Sequence, residues 1–139
     1  LPLHAITTRG VSMSMSVFIS HVHEDSPHIQ QLKAWNTQGL LGPGLTFTTE
    51  VRDLRPQGAD AIDAHLRPRI RGAGAVLVLI GSDTHNHDWV RREIELAQSL
   101  GKRLVLTRLP GTSGAAPVNA RYLPVVHWAP GALRDALTR

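Results

Sequence analysis

The run Ala75-Val76-Leu77-Val78-Leu79-Ile80 is apolar at every position. A strand with one face in water alternates apolar and polar side chains, so a strand without alternation is covered on both faces. The run is far shorter than the ~20 residues of a membrane-spanning helix. Its natural place is the middle of a parallel sheet with helices packed on either side.

The rest of the chain supplies the strands and helices such a sheet needs. Ser16-Val17-Phe18-Ile19-Ser20 is β-rich, and a helix is expected after it, with Ser26 as N-cap and Pro27 in its first turn. Ile29, Leu32, Ala34 and Trp35 form that helix's apolar side, and Gly39, Gly42, Pro43 and Gly44 end it. Leu45-Thr46-Phe47-Thr48-Thr49 reads as a second, less buried strand, followed by a polar loop over 50–58. Ile62, Leu66 and Ile70 recur every fourth residue and predict a second helix, which Pro68 should kink or shorten. After the central strand, a polar loop over 81–87 leads to a third helix capped by Asp88 and stopped by Gly101. Leu104-Val105-Leu106 is a further buried strand. Residues 110–124 form a Gly/Pro/Ala loop, Val125-Val126-His127-Trp128 a short last strand, and 132–139 a final helical turn or two.

Strands alternating with helices build right-handed βαβ units. The expected fold is a flavodoxin-like α/β domain of three layers, with a central parallel sheet of about five strands and helices on both faces. The chain of 139 residues suits a single domain. Residues 1–15 lack periodicity and are expected to be a flexible leader, leaving 16–139 as the domain. In such sheets, ligands bind at the carboxyl ends of the strands. The loops to watch are therefore 20–25 and 81–87.

The third helix carries a contradiction. At about 100° per residue, Trp89, Val90, Ile94, Leu96, Ala97 and Leu100 share one face, and Arg91, Arg92, Glu95, Gln98 and Ser99 the other. Glu93 falls in the middle of the apolar face, one turn after Trp89. A carboxylate there is costly unless paired, hydrogen-bonded or protonated. One reading is a structural pair with Arg92 or Arg52; the other is a functional carboxylate at a ligand crevice.

Composition narrows the remaining chemistry. The absence of cysteine removes disulfides, thiolate metal sites and a cysteine nucleophile, and it fits a cytoplasmic protein. The net charge of +4 comes almost wholly from arginine, Lys33 and Lys102 being the only lysines. Those arginines are spread along the chain and aromatics are few, so a nucleic-acid platform is not expected. Residues 20–26 contain no glycine, so no dinucleotide-binding glycine loop follows the first strand. Gly81-Ser82 lacks the second glycine of a nucleophile elbow. His21-Val22-His23-Glu24-Asp25 has the look of a metallo-hydrolase start, with His85 and His87 as further donors, but such sites need ligands from distant segments in fixed geometry. No metal is assigned.

Four motifs taken together resemble a TIR domain: Ser16-Val17-Phe18-Ile19-Ser20-His21, then Val76 to Gly81 with Ser82 and Thr84, then Trp89-Val90-Arg91-Arg92-Glu93-Ile94, then Leu100-Gly101-Lys102-Arg103-Leu104-Val105. The wording is most similar to the bacterial TIR-like proteins of the Thoeris anti-phage system. The resemblance implies NAD+ as substrate, with no separate cofactor, and cleavage to nicotinamide and an ADP-ribose-derived signal, cyclic or conjugated, that activates a partner effector. It maps the catalytic glutamate of a Trp-x-x-x-Glu motif onto Glu93. It implies that Ser20 and His21 face the nicotinamide ribose or pyrophosphate and that Ser82 and Thr84 contact ribose or phosphate. It also implies that Trp89 walls the nicotinamide pocket, and that Arg52, Asp53 and Arg55 lie in the loop that gates the site. Homo-oligomers through TIR–TIR contacts follow from the same resemblance. Residues 110–124 depart from fuller members in being short and poor in helix. Two other classes stay in view: a non-enzymatic self-association or adaptor module, and a metal-dependent hydrolase.

Overall fold

The computed structural model describes residues 14–49 and 58–139. Its elements run β1 (Met15–Ser20), α1 (Pro27–Thr37), β2 (Leu45–Thr49), α2 (Ala59–Arg71), β3 (Ala75–Ile80), α3 (Asp88–Ser99), β4 (Arg103–Arg108), β5 (Val125–Val126) and α4 (Pro130–Thr138). The strands form one five-stranded sheet in the order β2-β1-β3-β4-β5, and every pairing is parallel. This is the flavodoxin-like α/β arrangement expected from the alternation of elements. As its pattern predicts, β3 is buried at all six positions.

Period-two alternation divides the core into two layers. Phe18 of β1 and Val76, Val78 and Ile80 of β3 face α2 and α3, where they meet Leu66, Ile70, Val90 and Ile94. Val17, Ile19, Leu77 and Leu79 point the other way, toward Leu32 of α1 and Leu133 and Leu137 of α4. Burying each such aliphatic side chain contributes about 1.5–3 kcal/mol against chain entropy. The edge strand β2 alternates as an edge strand should, with Leu45 buried and Thr46 and Thr48 exposed.

Several local expectations need refinement or correction. Ser26 occupies the N-cap position of α1 as expected, but its hydroxyl makes no capping hydrogen bond and lies 3.2 Å from His21 Nε2 instead. Pro27 does occupy the first turn of α1. Pro68 does not shorten α2, which continues to Arg71. A proline so close to a helix end removes a single backbone donor, and Arg69 Nη1 reaches back to the carbonyl oxygen of His65 at 2.9 Å. The N-cap of α3 is His87 rather than Asp88, which opens the helix and pairs with Arg91. The last strand stops at Val126; Trp128 leaves it to stack near Trp35, with ring centroids 5.1 Å apart. The final helix starts earlier than expected, at Pro130.

What positions the site is the strand order. From β1 the chain crosses to β2 on one side, and the later strands β3, β4 and β5 lie on the other. β1 and β3 thus flank the topological switch point of the sheet, and it is at the carboxyl ends of such strands that open α/β sheets present their ligand crevice. Ser20 and His21 stand on one side of it, Ile80 and Gly81 on the other.

Candidate active site

Glu93 lies on the inner face of α3 and is 1% exposed. The buried polar or charged residues of the described chain are Ser20, Thr84, Glu93 and Thr107, and Glu93 alone among them is a carboxylate. Two side-chain donors among the described residues reach it. Ser20 Oγ, at the carboxyl end of β1, donates to Glu93 Oε1 at 2.5 Å. Trp89 Nε1, one turn earlier on α3, donates to Glu93 Oε2 at 3.1 Å. A hydroxyl donating to a carboxylate oxygen makes a short hydrogen bond of about 2.5–2.7 Å, and Ser20 meets that geometry.

The structural pair with Arg92 does not form. Arg92 turns outward to α2, donating from Nε and Nη2 to the two oxygens of Asp63 at 2.7 Å each, and from Nη1 to Glu95 at 3.2 Å. That fork raises the Arg92 pKa and ties α3 to α2. The other suggested partner, Arg52, lies outside the described residues, as do Asp53 and Arg55.

The other expected site residues divide into two groups. His21 is at the crevice, but its ring bridges protein groups: Nδ1 lies 3.3 Å from Thr49 Oγ1 and Nε2 lies 3.2 Å from Ser26 Oγ. Burial lowers its pKa, against the raising effects of a backbone hydrogen bond with Ile19 and the charge of Asp25. Thr84 is fully buried and holds the turn after β3; its hydroxyl accepts from the Gly81 amide at 2.8 Å and faces the Leu79 carbonyl at 3.4 Å. Ser82 is exposed on the same turn. Trp89 is 8% exposed, packed in the core with its indole N–H aimed at Glu93. The structure thus brings Ser20, Trp89 and Glu93 together, places His21 beside them on the chain, and engages Thr84 in the turn.

Sequence reasoning missed how tightly the far wall of the crevice is built. The Asp25 carboxylate lies against the Cα of Gly81, where any Cβ would collide with it. Burial raises the Asp25 pKa, with His28 opposing and Glu24 adding to the rise. Gly114 presses on the carbonyls of Gly81 and Ser82 from the other loop. Thr112 Oγ1 reaches the Ile80 carbonyl at 3.3 Å, and Arg108 Nε donates to the Gly114 carbonyl at 3.0 Å. The available signal was Gly81 itself, a glycine directly after a wholly apolar strand. As for metal ligands, no group of three His, Cys, Asp or Glu side chains among the described residues is arranged to hold an ion.

Comparison with known proteins now places the chain. Residues 18–114, more than half of it, match the family described as Thoeris protein ThsB, TIR-like domain. The chain belongs to that family. The matched Thoeris TIR-like segment spans Ser20, Trp89 and Glu93. Among solved structures, the fold is similar to the TIR domain of the Toll-related receptor TRR-2 from Hydra magnipapillata, at 14% identity with a TM-score of 0.56, covering 91% of this chain and 94% of that one. It is also similar to a prokaryotic SEFIR domain, at 15% identity with a TM-score of 0.53, covering 90% of this chain and 88% of that one. At such identities these two likenesses speak for the TIR-type fold alone. No curated protein matches the chain.

Proposed function

We propose that this Thoeris TIR-like domain cleaves NAD+, releasing nicotinamide and forming an ADP-ribose-derived signal nucleotide, with Glu93 as the catalytic carboxylate. The observation that carries the reading is the buried Glu93 carboxylate, held by Ser20 and Trp89 at the carboxyl end of β1, beside the topological switch point of the sheet. Membership of the ThsB TIR-like family supports it.

The chemistry suits one carboxylate. Nicotinamide in NAD+ is a cationic leaving group and departs neutral, so the general acid that ordinary glycosidases require is not needed. As the C1′–N bond of the ribose breaks, positive charge develops at C1′ and on the ring oxygen. A preorganised carboxylate in a site of low polarity stabilises that charge. It also orients the ribose hydroxyls by accepting their hydrogen bonds. The oxocarbenium is then captured by water, by a hydroxyl of the same molecule, or by a separate acceptor. These give hydrolysed, cyclic or conjugated ADP-ribose. Exclusion of water and placement of the acceptor decide among them.

In this reading the product activates a separate effector protein, in anti-phage defence, and the domain works in the cytoplasm as a self-associated assembly. TIR domains generally self-associate, and no helix among the described residues is long and apolar enough to cross a membrane. The competing reading, a self-association or adaptor module, draws on the likeness to a receptor TIR domain. Such a module has no use for a carboxylate buried in its core. Assembled protein incubated with NAD+ should release nicotinamide, followed by chromatography with mass spectrometry of the nucleotide product. Glu93→Ala should release none while keeping the circular dichroism of the parent. Nicotinamide release at the parental rate by a folded Glu93→Ala variant would defeat the proposal.

A further inference from the structure

We propose that Ser20 is the positioning residue that fixes the Glu93 carboxylate relative to the sheet, and that it does not contact the substrate. The proposal rests on the reading of Glu93 as the catalytic carboxylate. It departs from the sequence-based expectation that Ser20 binds ribose or pyrophosphate.

Burial comes first. Ser20 is 0% exposed, and a buried hydroxyl needs a partner. The structure gives it one: Glu93 Oε1 at 2.5 Å. The hydroxyl has a single proton, so while it donates to Glu93 it cannot also donate to a ribose oxygen or a phosphate.

The difference between the two donors to Glu93 is the second step. Trp89 and Glu93 belong to the same helix, separated by one turn. Whatever moves α3 moves both together, so the indole fixes the carboxylate within its helix and no further. Ser20 belongs to β1, the strand beside β3 in the sheet, and lies 73 residues away in sequence. Its bond ties the carboxylate to the frame that carries the crevice. The two donors take different oxygens, Ser20 the Oε1 and Trp89 the Oε2, so together they set both the position and the plane of the carboxylate.

Ser20 also suits the place by size. On the same face of β1, Phe18 fills the core two residues earlier. A side chain of that bulk at position 20 would occupy the volume through which the carboxylate reaches the strand. Serine is small enough for approach and polar enough for the bond.

A positioning role predicts a particular kinetic pattern. Ser20→Ala loses a hydrogen bond to a charged group, and with it the placement of the carboxylate in the transition state. In the assembled protein, kcat for nicotinamide release from NAD+ should fall roughly 10- to 100-fold. KM should stay within about twofold, because ground-state contacts to the substrate are untouched. Ser20→Thr keeps the hydroxyl on a β-compatible side chain and should recover most of kcat.

Glu93→Gln is the control for the underlying reading. An inactive Glu93→Gln variant beside a Ser20→Ala variant with parental kcat would overturn the Ser20 proposal alone. So would a Ser20→Ala variant whose KM rises while kcat holds, since that pattern marks a residue that binds substrate. A fully active Glu93→Gln variant, or a parent assembly that releases no nicotinamide, would overturn both.

Discussion

On the α1–α4 side of the sheet, the buried layer is aliphatic from Val17 and Ile19 to Leu133 and Leu137. On the α2–α3 side, a layer that is also apolar but includes Phe18 and Trp89 is interrupted near its carboxyl end by Glu93, with Ser20 and Trp89 turned toward it. The first layer is what the fold requires: apolar faces on helices, period-two strands and no buried charge among the described residues. The second meets that requirement and adds a carboxylate at the one edge where the strand order opens a crevice. Both layers contain a buried hydroxyl, and these too differ. Ser20 is bound to Glu93, whereas Thr107 Oγ1 on β4 has no partner among the described residues.

Stability measurements can break this contrast. Leu77→Ala removes a fully buried side chain from the α1–α4 layer. It should cost about 2–5 kcal/mol in chemical denaturation while leaving the activity of the folded fraction unchanged. A large loss of specific activity in that folded fraction would mean the two layers are not separable as described.

A smaller effect is expected from pH. Burial holds the His21 pKa below its unperturbed 6.5, so the unfolded chain takes up a proton more readily than the folded one. Stability therefore rises with pH through the window between the lowered folded value and 6.5, and it is lost as pH falls through that window. The advantage of the parent over His21→Gln, read as the difference in melting temperature, should shrink as pH drops from 7 toward 5. An advantage that grows on acidification would contradict the assignment of a neutral, buried imidazole bridging Thr49 and Ser26.

The smallest effect sharpens the contrast between the hydroxyls. Thr107→Val should be neutral or stabilising by up to ~1 kcal/mol, because it replaces an unpartnered buried hydroxyl with a methyl of the same shape. A clear destabilisation would reveal a partner for Thr107 and remove that side of the comparison.

Much of this was legible in the chain. A short, Val- and Ile-rich unbroken apolar run reads as a covered strand, and a 3.6-residue period over α3 exposed Glu93 as the one charge on the wrong face. Those signals are strong because each repeats over many residues. Helix ends were less legible: the starts of α3 and α4 were misjudged by a residue or two, and Ser26 sits at the N-cap of α1 without its hydroxyl capping it. Ser26 reaches His21 instead of its own helix. Side-chain roles were least legible. Thr84 and Ser20 are both small hydroxyls on loops or strand ends, and nothing local distinguishes a hydroxyl that pins a turn from one that meets a ligand. The bond from Ser20 to Glu93 joins residues whose proximity only the folded sheet creates.

The central claim is that Glu93 does chemistry and does not merely brace the fold. Its most direct measurement is nicotinamide release from NAD+ by the assembled parent and by Glu93→Gln, with both melting temperatures recorded in the same buffer. The account predicts release by the parent and none above background by a variant that melts cooperatively. Equal release by the two proteins, or a parent assembly that leaves NAD+ intact, would contradict it.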